Sequence, residues 1–392
     1  MPSVWQQPLP SLYQHMSEQE LRARIAAARQ TLGKKLVILG HHYQQDAVIE
    51  FADFTGDSFE LSRQAAQQKE AQYVIFCGVH FMAESADILT ADSVKVVLPD
   101  LGAGCSMADM ANIDQTLECW EQLLEQCPDQ TIVPITYMNS TAAIKSFVGE
   151  HGGAVCTSSN CRSILEWAIR GGAVPNHTAG KKVKVLFFPD QHLGRNTAYA
   201  MGYPLDSMVV WDPRQDLGGS EPARLRDADF VLWKGHCSVH QLFRPEHVDD
   251  ARRRFPQMKV LVHPECSFEV VQKADLSGST AFIVKQVEAA APGSQWALGT
   301  EVHLVNRLAQ QHPEQKIIVL SECQCLCTTM FRIDLPHLCW AIENLASGNV
   351  VNQIQVDAHT RRWAMVALER MLSIKGIPQA LGKTAPMATT VD

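Results

Sequence analysis

Short, continuous apolar runs that end in polar loops and lead into helical patterns recur along most of this chain, and that alternation limits its fold more than any other feature. Leu36–Leu39, Tyr73–Cys77, Val94–Leu98, Ile132–Tyr137, Val183–Phe188, Val209–Trp211, Phe230–Trp233, Lys259–Val262 and Ile317–Leu320 read as strands. Most lack an alternating polar face, so they suit strands covered on both sides, and the sequence predicts an α/β protein with parallel sheets. Ser17-Glu18-Gln19-Glu20 forms a capping box ahead of Leu21, Ile25 and Ala28, which predicts a helix over about 18–31.

The chain has 392 residues, more than one ordinary core accommodates, so two or three compact units are expected. Apolar residues at 46% and charged residues at 19% describe a globular composition. A formal charge of −8 without any long Lys/Arg cluster argues against a nucleic-acid partner. Met1–Gln19 has no basic segment followed by an apolar one, so no secretory signal is expected, and no run of about 18 apolar residues suggests a membrane span. A cytoplasmic location follows as the expectation, with the 12 cysteines kept as thiols.

Three strands end in comparable polar loops: His41-His42-Tyr43, Tyr137-Met138-Asn139 and His263-Pro264-Glu265. Each is followed further on by a Ser or Thr that opens a helix: Asp57-Ser58, Thr157-Ser158-Ser159 and Ser279-Thr280. The spacings 58→158→279 are too unequal for a solenoid but fit three related α/β units. The pattern alone leaves triplication and chance recurrence both open. Ligands of open α/β sheets sit beyond the carboxyl ends of the strands, and helix starts there offer N–H groups to anions. The plainer reading of each hydroxyl is an N-cap, worth about 1 kcal/mol.

The cysteines divide by setting. Cys119, Cys127, Cys161 and Cys339 lie on or beside helical patterns among apolar neighbours, and Cys77 and Cys156 end apolar runs, so all six read as packing. Cys105 lies in a loop with Gly102 and Gly104, Cys237 follows Gly235-His236, and Cys327 closes Cys323-Gln324-Cys325-Leu326-Cys327, each after a strand. Thiolates on three such loops could hold one iron–sulfur cluster. Neither zinc nor ferredoxin spacing is present, and the residues alone leave a metal centre and incidental thiols both open.

Here the residues become specific. Gly40-His41-His42-Tyr43-Gln44, Gly56-Asp57-Ser58-Phe59-Glu60-Leu61-Ser62, Phe76-Cys77-Gly78-Val79-His80, Leu98-Pro99-Asp100 and Gly104-Cys105-Ser106 stand in the order of the quinolinate synthase family. Tyr137-Met138-Asn139-Ser140, Cys156-Thr157-Ser158-Ser159-Asn160, Pro189-Asp190, Leu193-Gly194-Arg195-Asn196, Gly235-His236-Cys237, His263-Pro264-Glu265-Cys266 and Gly278-Ser279-Thr280 continue it. The chain resembles that family from about residue 34 to about 346.

The resemblance implies three similar three-layer α/β domains with short parallel sheets around a pseudo-threefold axis, with a [4Fe–4S] cluster at the centre. With it come a helical segment over 1–33, domains over 34–127, 128–228 and 229–346, and a helical extension and tail over 347–392. It implies condensation of iminoaspartate with dihydroxyacetone phosphate to quinolinate, a precursor of NAD, with loss of phosphate and water. Functional coupling to an aspartate-oxidising enzyme follows as well. Matched by motif, Cys105, Cys237 and Cys327 are the cluster ligands, and the iron they leave open acts as a Lewis acid.

By the same resemblance, proton transfer and orientation are expected of His41, Tyr43 and Tyr137, with Glu265 as a base and His263 as a carboxylate partner. The resemblance implies that His41, Tyr137 and Glu265 also contact substrate. Ser58, Asn139, Ser158, Ser279 and Thr280 match positions that hold carboxylate or phosphate groups. His240 either lines the pocket or supports the cluster. The third cysteine group departs from the family's Cys-x-x-Cys or single-cysteine forms. Cys327 is preferred because Thr328-Thr329-Met330 follows it, which leaves Cys323 and Cys325 as a disulfide or as spares. Arg361–Ser373 reads as an amphipathic helix with a Pro/Gly/Thr tail beyond it.

Two other classes are weighed: a zinc or iron hydro-lyase acting on a different small acid, and a binding module for an anionic metabolite. A dinucleotide-binding dehydrogenase is disfavoured because no G-x-G-x-x-G follows a strand.

Overall fold

The computed structural model describes residues 6–68, 70–175, 177–322 and 326–374. Among them three sheets are present. The first contains β1 (Leu36–His41), β2 (Phe54–Gly56), β3 (Tyr73–Cys77) and β4 (Lys95–Val97) in the order β2-β1-β3-β4. The second contains β5 (Thr131–Tyr137), β6 (Ala154–Cys156), β7 (Val183–Phe188), β8 (Met208–Trp211) and β9 (Phe230–Trp233) in the order β6-β5-β7-β9-β8. The third contains β10 (Lys259–Val262), β11 (Leu276–Ser277), β12 (Gln295–Gly299) and β13 (Lys316–Val319) in the order β11-β10-β12-β13. All these pairings are parallel. A last strand, β14 (Gln353–Ile354), is added antiparallel to β4.

The chain is α/β with three short, mainly parallel sheets, and one strand order recurs in all three. The second strand lies outside the first, the third lies on its other side, and a later strand follows. The order therefore reverses between the first and third strands, which opens a crevice at their carboxyl ends. The strongest recurrence is at the third strands. They end at 77, 188 and 299, spaced 111 residues each time. After each comes a helix of 10 residues: His80–Leu89, Gln191–Ala200 and Val302–Gln311.

By contacts the chain divides into two compact units. Met1–Cys105 with Leu326–Ala358 carries the first sheet, and Ser106–Cys325 with His359–Asp392 carries the second and third. In the first unit the Ser17 half of the capping box is realised: Ser17 caps the helix Glu18–Leu32 by accepting from the Glu20 N–H. In the second unit Trp233, Phe187, Phe188 and Phe230 are fully buried, and β5 is buried along its whole length.

Some local expectations need correction. The helix at Ser58 is capped by Asp57, whose carboxylate accepts from the N–H groups of Phe59 and Glu60. A charge at the positive end of a helix is the stronger cap, so the hydroxyl becomes the first helical residue instead. The helix after Ser158 begins at Cys161, with Asn160 at its N-cap position. Only Ser279 caps as read, accepting from Phe282. Strands β2, β6, β11 and β14 have two or three residues, too few to show a period. β12 went unread because it starts with Gln295 and ends in Gly299.

The C-terminal helix covers Ala358–Ser373 and packs on the second unit. Arg370 donates to the carbonyls of Gly149 and Gly153 at 3.0 and 2.6 Å. Cys323, Cys325 and the tail beyond 374 lie outside the described residues.

Gly149 lies inside the helix Ala142–Glu150, where a Cβ would come within 1.9 Å of the Trp363 carbonyl oxygen. Helix propensity alone favours Ala there by about 1 kcal/mol, whereas overpacking against backbone costs about 1–3 kcal/mol. The overlap with an immovable carbonyl wins. Gly149→Ala is expected to lower the urea midpoint, and a raised midpoint would show that the helix Ala358–Ser373 is not held at this contact.

Candidate functional site

The polar loops at the carboxyl ends of the second unit's strands bring five side chains together. Tyr137 ends β5, and His263 and Glu265 follow β10. Cys237 follows β9, and His240 opens a short 3-10 turn, His240–Leu242. Glu265 is 3% exposed and His240 1%, and Glu265 Oε2 lies 2.6 Å from His240 Nδ1. The His240 and His263 rings stack with centroids 4.6 Å apart. Tyr137 also hydrogen-bonds the Glu265 carboxylate. The Cys237 sulfur, a His240 ring nitrogen and a Glu265 oxygen all lie within 4.8 Å of one another.

Burial alone would push the Glu265 carboxyl up. His263, His240 and the hydrogen bonds from His240 and Tyr137 more than offset this and bring it to about 2. Burial holds His263 itself near 3, so its ring is neutral at pH 7. At that pH His240 and the hydrogen bonds from His240 and Tyr137 are therefore what favour the ionised form of Glu265. Asp190, also fully buried, goes the other way: burial and then the Glu265 charge raise it well above the usual range. Of these two carboxyls, Asp190 has its pKa raised and Glu265 has its pKa lowered. Asp190 meanwhile caps the helix Gln191–Ala200 through the N–H groups of His192 and Leu193.

The backbone that carries Glu265 is tightly held. His263 N–H donates to Gly299 O at 3.0 Å, and Glu265 N–H to His263 Nδ1 at 3.3 Å. Asn196 Nδ2 bridges the carbonyls on either side of Glu265, Pro264 at 2.8 Å and Cys266 at 2.9 Å. Thr300 Oγ1 lies 3.5 Å from His240 Nε2. Sequence reasoning assigned no site role to Asn196 or Thr300. Asn196 sits in a matched motif, while Thr300 follows β12, the strand that went unread.

Asn139 lies beyond Tyr137 in a loop pinned by Ser140 Oγ to Tyr137 O at 2.9 Å and by buried Lys145 to Ser140 O. Its Oδ1 is buried without a hydrogen-bond partner among the described residues. Ser158 is half-buried in the turn between β6 and the helix Cys161–Ala168, and Ser279 and Thr280 start the helix Thr280–Glu288. Ser279 Oγ accepts from the Phe282 N–H at 3.2 Å.

In the first unit, His41 ends β1 and is 4% exposed. The Tyr43 N–H donates to His41 Nδ1 at 3.1 Å, as Glu265 does to His263, and the Tyr43 ring meets His41 edge-on at 4.7 Å. With Nδ1 accepting, the neutral ring carries its proton on Nε2. Gln44 Nε2 donates to Met330 O at 3.0 Å, which ties this loop to the turn after Cys327. Ser58 is half-buried at the start of its helix. Arg332 and Asp100 pair at 2.9 Å, joining the loop that precedes Cys105 to the turn that follows Cys327.

Burial separates the cysteines in the same way as sequence setting. Cys77, Cys119, Cys127, Cys156, Cys161, Cys266 and Cys339 are buried, whereas Cys105, Cys237 and Cys327 are half-buried. Burial pushes the Cys77 thiol up to about 12, which suits an inert packing residue. Each half-buried cysteine follows the last parallel strand of the 2-1-3 series in its sheet. A 3-10 turn begins three residues later (105→108, 237→240, 327→330). A helix begins eight residues later (105→113, 237→245, 327→335). Each of the three thiols, in its repeated setting, is a donor of the type that fits a soft metal group.

A family model described as quinolinate synthetase A protein matches residues 23–373. Relatives called quinolinate synthase include one from Acidobacterium capsulatum, 56% identical over 93% of this chain and 95% of its own. One from Corynebacterium glutamicum is 54% identical over 94% of this chain and 91% of its own. One from Rhodopirellula baltica is 51% identical over 93% of each.

Removing the Asn196 amide leaves two buried carbonyls unpaired, at about 1–3 kcal/mol each. Asn196→Ala is expected to lower unfolding free energy by about 2 kcal/mol or more and to speed hydrogen exchange at the Glu265 amide. An unchanged Glu265 exchange rate would mean that the loop is held without Asn196.

Proposed function

We propose, on the premise that this chain belongs to the quinolinate synthase family, that it condenses iminoaspartate with dihydroxyacetone phosphate to quinolinate, releasing phosphate and water. The enzyme serves NAD biosynthesis. One observation supports the reading above the others: a buried, ionised Glu265 lies within 4.8 Å of the half-buried Cys237 sulfur, with His240 in the same group. A proton acceptor then stands beside a soft metal ligand, which is what this condensation and dehydration require.

Cys105, Cys237 and Cys327 hold a [4Fe–4S] cluster in this reading, supported by their shared exposure and repeated setting. When bound, the cluster supplies an iron open to a substrate oxygen, as a Lewis acid. The chain's own residues do the remaining work. Glu265 takes a proton from substrate carbon. Its resting pKa is low, and the approach of an anionic substrate raises it and makes it a better base. Tyr137 and His240 hold the carboxylate in place, and His263 meets a substrate carboxylate. His41 Nε2–H and Tyr43 donate and orient. Asn139 turns its unpartnered oxygen to a substrate donor.

Ser58, Ser158, Ser279 and Thr280, at or near helix starts, receive carboxylate or phosphate oxygens, where the N–H groups and dipole favour negative charge. This accounts for an anionic substrate held without a Lys/Arg cluster. No helix among the described residues is long and apolar enough to cross a membrane. We place the enzyme in the cytoplasm, supplied by an aspartate-oxidising enzyme.

Anaerobic purification with iron and sulfide analysis, paired with a quinolinate assay, tests the reading. Glu265→Gln is expected to keep four irons and four sulfides per chain while turnover falls by about 10²-fold or more. Cluster loss in that variant would make Glu265 structural, and a native chain without iron and sulfide would end the proposal.

A further inference from the structure

We infer that Cys237, His240 and Glu265 also form a mononuclear site for a divalent cation of the zinc class, used when the chain holds no cluster. The inference rests on geometry alone and not on the reaction proposed above. The donors are one thiol, one imidazole and one carboxylate within 4.8 Å of one another. Sulfur, nitrogen and oxygen in that combination suit Zn²⁺ and Co²⁺ better than Mg²⁺ or Ca²⁺. His240 and Glu265 are almost wholly buried, while half-buried Cys237 leaves a side open for entry.

The charges also balance. A thiolate and a carboxylate neutralise a divalent ion, whereas the buried carboxylate alone leans on hydrogen bonds. Nδ1 of His240, now 2.6 Å from Glu265 Oε2, takes the ion in place of the proton between them. Tetrahedral coordination spreads those atoms to about 3.4 Å, a modest opening for a glutamate side chain. The proton leaves Nδ1 and the ring carries one on Nε2, which faces Thr300 Oγ1 at 3.5 Å. A ring held through its second nitrogen is the usual arrangement for a metal-bound histidine. The Cys237 thiol releases its proton to solvent. An ion here occupies a sulfur that a cluster needs, so the two occupancies exclude each other.

Full-length chain, freed of iron by a chelator under reducing anaerobic conditions, is titrated with Co²⁺ and followed by its thiolate charge-transfer absorption. One Co²⁺ per chain is expected, with the band lost in Cys237→Ser. Affinity is expected to fall by about tenfold or more in His240→Gln and Glu265→Gln. Glu265→Asp, which keeps a carboxylate, should restore most of it and shows that the loss is not misfolding. Cys105→Ser and Cys327→Ser should bind as the native chain does, although both are expected to lose the cluster. Weakening in those two equal to that of Cys237→Ser, or unchanged affinity in both His240→Gln and Glu265→Gln, overturns the inference.

Discussion

A carboxylate with almost no surface in water stays charged only if its neighbours donate to it, and the arrangement around Glu265 follows from that requirement. His240 Nδ1 sits 2.6 Å away, Tyr137 adds a hydrogen bond, and burial together with the Glu265 charge raises the pKa of Asp190 nearby. These residues come from β5, from the turn after β9, from the loop after β10 and from the end of β7. One ionised oxygen thereby draws on two sheets. The Asn196 bridge to Pro264 and Cys266 serves the same end, because a displaced backbone would separate the carboxylate from its donors.

The alternation of apolar runs and helices was enough to read the α/β class, and the polar loops were enough to suspect three related units. The regularity itself was harder to read. Spacings measured at Ser58, Ser158 and Ser279 are unequal because the stretch from the hydroxyl to the end of the third strand is longer in the second case (58→77, 158→188, 279→299). The third strand and its helix repeat every 111 residues, but only once β12 is recognised does the third member of that series exist. A strand that begins with glutamine and ends with glycine carries too little apolar contrast to stand out.

For the candidate site, sequence reading named Cys237, His240, His263, Glu265 and Tyr137, which the fold brings together. His240 lies three residues beyond a cysteine, and His263 and Glu265 share one strand end, so local spacing carried the information. Asn196 and Thr300 act across the fold, through an amide that reaches a distant loop and a hydroxyl that meets a distant ring. Nothing in their immediate neighbours announces such a role. Exposure, which sets Cys105, Cys237 and Cys327 apart from the buried thiols, likewise exists only after folding.

The antiparallel strand β14 completes the edge of the first sheet beside β4, although the two are separated by most of the chain. During synthesis, β1 to β4 leave the ribosome early with that edge uncovered, and its partner emerges only after the second and third sheets have been made. An open strand edge is a template for unwanted pairing. The nascent first unit therefore waits, incomplete, through the translation of its neighbours. Its final closure couples the maturation of the amino-terminal sheet to the arrival of Gln353–Ile354, made after the second and third sheets.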